Sequence, residues 1–131
     1  GNSDGYAASK FALRGLMLSL NVGLKKHGIH VGVICPSAVD TVQLEHEALS
    51  GGSDLNFLQK PLKPEQVAKA VLKSIKRKKA EICIPFSEGI SSKFGGTFPS
   101  VLPRLFPMLE RYGAKKRKQY IKRKNLLQNE K

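Results

Sequence analysis

Leu13, Leu16, Met17, Leu20 and Leu24 recur at spacings of three and four, which makes one apolar stripe of an α-helix. Phe11, Leu18 and Val22 make a second stripe, with Gly15 in line. The pattern predicts a long helix over residues 6–27 that is apolar on two faces. It should be buried twice, against its own sheet and against something else. Asp4 suits the N-cap and the positive end of the helix dipole. Lys25 and Lys26 suit the last turn, and Gly28 can supply a left-handed stop.

The run Ile29 to Cys35 ("IHVGVIC") is apolar, β-branched and ended by Pro36, as a buried strand would be. Residues 37–60 read as a long irregular connection containing the flexible "SGGSD". Pro64 opens a second helix through about Lys78, with Val67, Ala68, Val71, Leu72 and Ile75 as its apolar face. Glu81 to Pro85 is a second short strand. Strand, helix and strand make a parallel unit, expected right-handed. Pro99, Pro103 and Pro107 then recur every four residues. Each removes a helical hydrogen bond, so no continuous helix is expected across them. After Pro107 the chain can turn helical and strongly basic.

Charge adds a second feature to this α/β outline. The formal net charge is +13 over 131 residues. It is concentrated in two stretches, Lys60–Lys79 and Arg111–Lys124, each with eight Lys or Arg, the first against Glu65 alone and the second against no acid. A solvated basic face is one reading, and attraction to phospholipid or nucleic acid is the other. No aromatic platform or helix-turn-helix pattern accompanies the charge, so nucleic acid is not expected as a partner. No apolar run reaches the length of a membrane span. Cys35 and Cys83 lie in apolar runs without CxxC spacing, as buried free thiols would. His27, His30 and His46 show no ligand or triad pattern, and Glu45 and Glu47 receive no role.

The candidate chemistry lies at the start of the first helix, "YAASKFALRGL". Tyr6 and Lys10 share one helix face, one turn apart. A free phenol titrates near about 10, too high for proton transfer at neutral pH unless an ammonium beside it favours the phenolate. Such a pair can move a proton to or from an alcohol or carbonyl oxygen. Ala7, Ala8 and Ser9 leave room for substrate and cofactor. Spacing alone is weak evidence, because Tyr112 and Tyr120 also have Lys at +4, in Lys116 and Lys124. Those two pairs sit among lysines with no apolar helix face and read as accidental.

"YAASKFALRGL", an apolar helix and then "GIHVGVICPSAVDT" together resemble the second half of a short-chain dehydrogenase/reductase. The resemblance covers roughly residues 1–85. It implies the C-terminal part of a Rossmann-like doubly wound parallel sheet over residues 1–90, with a proline-punctuated, basic C-terminal extension over residues 91–131. It implies a nicotinamide-dependent oxidoreductase that interconverts a carbonyl and an alcohol with NADP or NAD. Tyr6 would be the general acid/base, and Lys10 would favour its phenolate and hold the nicotinamide ribose. Pro36 and Thr41 would lie beside the nicotinamide, with Ser37 where the family usually has glycine. Tyr6, Lys10, Pro36 and Thr41 are therefore the expected cofactor-binding residues, and no metal is expected.

The family's glycine-rich phosphate loop, first five strands and catalytic serine would all precede Tyr6. Without them this chain is expected to be the C-terminal half of a reductase subunit, inactive in isolation, or alternatively a truncated, non-catalytic interaction fragment. The second stripe of helix 6–27 resembles the family's dimer-forming helix and implies a homodimer. The unpaired side of strand 29–35 would be an adhesive apolar edge. The expected location is cytoplasmic, with peripheral contact to a membrane such as the endoplasmic reticulum. Apolar residues 94–109 followed by basic residues 111–124 fit an anionic membrane surface. They equally fit a lid over the subunit's own substrate pocket. A lipid-like substrate is compatible with both.

Overall fold

The computed structural model describes residues 4–87, 89–90, 97 and 100–126. Its first element is helix α1, Asp4–Leu24, continued by a 3-10 turn at Lys25–His27. Gly28 then adopts φ 73°, the left-handed conformation that ends the helix. Asp4 is the first helical residue.

Strand β1 spans Val33–Pro36 and strand β2 spans Glu81–Ile84. They pair in parallel, with Val33 opposite Glu81, Cys35 opposite Cys83 and Pro36 opposite Ile84. β1 is thus shorter than the apolar run suggested and starts four residues later. Residues 29–32 instead lead in from α1: Asn21 Nδ2 of that helix donates to the Val31 carbonyl and lies 3.3 Å from His30 Nδ1. The crossover helix α3, Pro64–Arg77, begins as the sequence implies, with Pro64 in its first turn and the Lys63 N–H donating to Gln66 Oε1 at 2.8 Å. Lys78, at φ 49°, ends it.

Three expectations are corrected. First, residues 37–60 are not irregular. They contain helix α2, Val42–Ser50, and a 3-10 turn at Asp54–Phe57. The segment is closed at its base by a parallel bridge between Val39 and Leu62. Second, helix α4 runs from Leu102 to Lys124 with Pro103 in its first turn and Pro107 inside it. Pro107 forfeits one bond near the helix start, and the rest of α4 is held by docking against Asp54–Phe57 and α2. Pro99 lies outside the described residues. Third, the apolar faces of α1 and α3 are not covered by the described residues. No residue of α1 is buried. On α3 the strands cover Ala70 and Ser74, whereas Val71, Leu72 and Ile75 remain exposed.

The buried core lies elsewhere, between α2, the 3-10 turn and α4. Leu44 and Ala48, one helical turn apart, meet Phe57, Tyr120 and Leu126. The Phe57 and Tyr120 rings lie 5.4 Å apart at 50°, an arrangement that adds to area burial. Tyr120 is only 4% exposed, which overturns the reading of its helix as lacking a buried face. Its hydroxyl donates to Asp40 Oδ1 at 2.6 Å. Lys124 Nζ reaches the same oxygen at 2.9 Å and Glu45 Oε1 at 3.0 Å. Arg117 pairs with Asp54 at 3.0 Å and donates to the Gly52 carbonyl at 3.2 Å.

Candidate active site at the carboxyl end of the strands

α1 places Lys10 and Arg14 one turn apart, so both side chains project from the same helix face. That face overlies the carboxyl end of β1. Lys10, Phe11 and Arg14 line a cavity of about 250 Å³ together with Cys35, Pro36 and Ser37 from β1 and its exit, Cys83 from β2, and Gly89. Open parallel sheets bind ligands at this end, where the strand termini leave a crevice.

The structure brings Lys10 and Pro36, two of the four expected residues, to one cavity with Ser37. Ser37 Oγ is buried beside this cavity and has no hydrogen-bond partner among the described residues. A buried hydroxyl left without a partner is costly. Tyr6 lies one turn before Lys10, is 63% exposed and does not line the cavity. Lys10 Nζ stands over its ring, 5.1 Å from the centroid. The same stacking recurs for Lys116 over Tyr112 at 5.4 Å and for Lys124 over Tyr120 at 5.9 Å. All three Tyr/Lys pairs of this chain make this contact, and Lys116 also lines a cavity, of about 290 Å³, with Tyr120 and Arg123. The first pair differs in that Lys10 lies at the carboxyl end of the strands.

Thr41 is not in the cavity lining. It is the N-cap of α2: its Oγ1 accepts from the Leu44 N–H at 3.4 Å and donates to the Val39 carbonyl at 3.3 Å.

Sequence reasoning did not single out Arg14, Glu81 and the two cysteines as neighbours. Arg14 Nε donates to Glu81 Oε1, a partly buried ion pair between α1 and the start of β2. That bond holds the Arg14 guanidinium more firmly protonated than usual. Cys35 Sγ donates to Glu81 Oε1 at 3.9 Å. Burial pushes the Cys35 thiol up, Cys83 and Glu81 add to this, and Arg14 opposes it. Both cysteines are free, as expected, but half-buried. The +4 step from Lys10 to Arg14 was the available signal; the Glu81 contact was not, because it joins residues 67 apart.

Residues 2–50 match the family model described as short chain dehydrogenase. The chain is similar to 3-ketodihydrosphingosine reductase of Mus musculus and of Bos taurus, at 35% identity over 71 residues in each case. The matched stretch covers 52% of this chain and 21% of either relative, so the chain spans about a fifth of their length. No solved structure matches it significantly.

Proposed function

We propose, on the premise that residues 2–50 belong to the short-chain dehydrogenase family, that this chain supplies the proton-transfer helix and the nicotinamide-side strand end of an oxidoreductase. The reaction interconverts a carbonyl and an alcohol, with NAD or NADP. The observation that carries this reading is the meeting of Lys10 of α1 with Pro36 and Ser37 of the strand end in the lining of one cavity. These groups fit the nicotinamide end of such a cofactor: Lys10 offers donors to ribose hydroxyls, and Ser37 can bond a carboxamide. The cofactor supplies the hydride. Tyr6, on the Lys10 face, gives or takes the proton at the substrate oxygen. A long-chain keto substrate is favoured by the name of the matched relatives. Thr41 would support the cofactor by fixing the start of α2.

The test is a titration of the isotope-labelled chain with nicotinamide mononucleotide, followed by amide NMR. Shifts confined to Lys10, Arg14 and Cys35–Ser37, and lost in Lys10→Ala, support the reading. Shifts elsewhere or none would sink it.

We also propose that α4 reaches an anionic membrane surface. Among the described residues no helix is long and apolar enough to cross a membrane. Arg111, Lys115, Lys118, Lys122 and Arg123 of α4 are exposed, and each basic side chain near an anionic surface contributes about 1 kcal/mol. Sedimentation with phosphatidylserine vesicles should show binding that salt weakens. No binding at low salt would leave α4 as a purely internal support.

A further inference from the structure

Cys35, Glu81 and Cys83 each direct one donor atom into the same small volume, and the three atoms lie within 4.8 Å of one another. The placement follows from the parallel register. Cys35 and Cys83 are cross-strand partners, and Glu81 lies two residues before Cys83, on the same face of β2. A tetrahedral zinc ion with Zn–S of about 2.3 Å and Zn–O of about 2.0–2.2 Å needs its donors roughly 3.5–3.8 Å apart. The Cys35–Glu81 separation is 3.9 Å and all three lie within 4.8 Å, so side-chain closure of up to about 1 Å brings the set to this geometry.

We propose that these three residues bind one thiophilic divalent cation of the zinc class. Two thiolates select against magnesium and calcium, which prefer oxygen. Arg14 completes the electrostatics. The three anionic ligands, a divalent cation and the guanidinium that bonds Glu81 sum to zero charge. Arg14 therefore acts as a positioning residue that orients the carboxylate from outside the coordination shell. Both thiols must lose their protons on binding, so loading releases two protons and weakens as the pH falls. The fourth coordination position opens on the cavity that Lys10 and Ser37 line, where water or a ligand can occupy it. The cation would also tie β1 to β2, a pair of only four residues each. This site does not depend on the oxidoreductase reading, since neither Tyr6 nor a nicotinamide takes part.

The experiment is a cadmium titration of the full, chemically reduced chain, followed by thiolate-to-cadmium charge-transfer absorption. The chain has two cysteines in all, so the band reports on this site alone. It should grow to one equivalent per chain and stop. Cys83→Ser should abolish that endpoint. Glu81→Gln should keep the band but weaken affinity at least about tenfold, as loss of a ligand or of its orientation does. X-ray absorption on the zinc-loaded, unsubstituted chain provides a readout that no folding defect can confuse. Two sulfur neighbours at about 2.3 Å and lighter ones at about 2.0 Å are expected. A zinc shell without sulfur, or an endpoint of one cadmium per two chains, overturns the proposal.

Discussion

The Tyr120 hydroxyl donates to Asp40 at 2.6 Å across 80 residues of chain. It joins the basic C-terminal helix to the exit of β1, four residues beyond Pro36. The strand end that carries the candidate site is thereby anchored from the far end of the molecule. Tyr120→Phe removes that bond but leaves Asp40 with Lys124, so it should cost about 0.5–1.5 kcal/mol. Tyr120→Ala also empties the core position beside Phe57 and should cost about 3–5 kcal/mol. Urea denaturation of the two variants checks both figures, and equal costs would contradict the assignment of the hydroxyl.

The same cluster sets the pH range of stability. Burial pushes the Asp40 carboxyl up, but the bonds from Tyr120 and Lys124 outweigh it and hold it below its ordinary value. The stability it contributes is present above its unfolded pKa of about 3.9 and is lost as pH falls through the lower folded value. Burial and the Asp40 bond push Tyr120 up, and bonds to Asp40 and Glu45 push Lys124 up. Their contribution is present below about pH 10 and is lost as pH rises beyond it. The melting temperature should therefore fall at both extremes. Asp40→Asn should flatten the acid limb, and an unchanged acid limb in that variant would count against the cluster.

Gly113 is where α4 meets the turn at Asp54. A Cβ there would overlap the Asp54 carbonyl oxygen and lie 2.8 Å from its carbon. Alanine favours a helix interior by about 1 kcal/mol over glycine, but backbone overlap of this kind costs about 1–3 kcal/mol. Gly113→Ala should thus be destabilising by chemical denaturation. A stabilised variant would mean that α4 does not dock here.

α1, α3 and both strands were legible because apolar period, Pro64 and Gly28 all point the same way. α2 was hidden because its buried side is only Leu44 and Ala48, in a stretch whose "SGGSD" reads as flexible. Thr41 begins that helix as its N-cap. The basic stretch of α4 after Pro107 was expected to be helical and is, but its start at Leu102 was obscured by Pro103 and Pro107, and its buried side by the chemistry of that face. Gly113, Arg117, Tyr120 and Lys124 follow helical spacing but are not an apolar stripe. Arg117, Tyr120 and Lys124 bind Asp54, Asp40 and Glu45, partners that hydropathy does not register. At the site, the Tyr6–Lys10 spacing was visible, whereas the Arg14–Glu81 pair and the Cys35–Cys83 alignment depend on strand register.

The uncovered stripes of α1 should drive self-association. Val22 is 77% exposed and Leu16 is 52% exposed, and an exposed apolar face of this size favours a partner. Multi-angle light scattering at micromolar concentration should give a mass above the monomer's, lowered by Val22→Lys. A dispersed monomer of the unsubstituted chain would remove the dimer from the account.

In the proposed reaction, Tyr6 of α1 is the proton-transfer group. Under the proposed function, its most direct test is Tyr6→Phe, followed by single-turnover carbonyl reduction with NADPH or NADH. Tyr6 is 63% exposed, so loss of one hydroxyl should change stability by less than about 0.5 kcal/mol. Turnover should fall by at least about 10²-fold, the usual contribution of a positioned acid/base. Turnover retained within a few-fold, with the fold intact, would contradict the account.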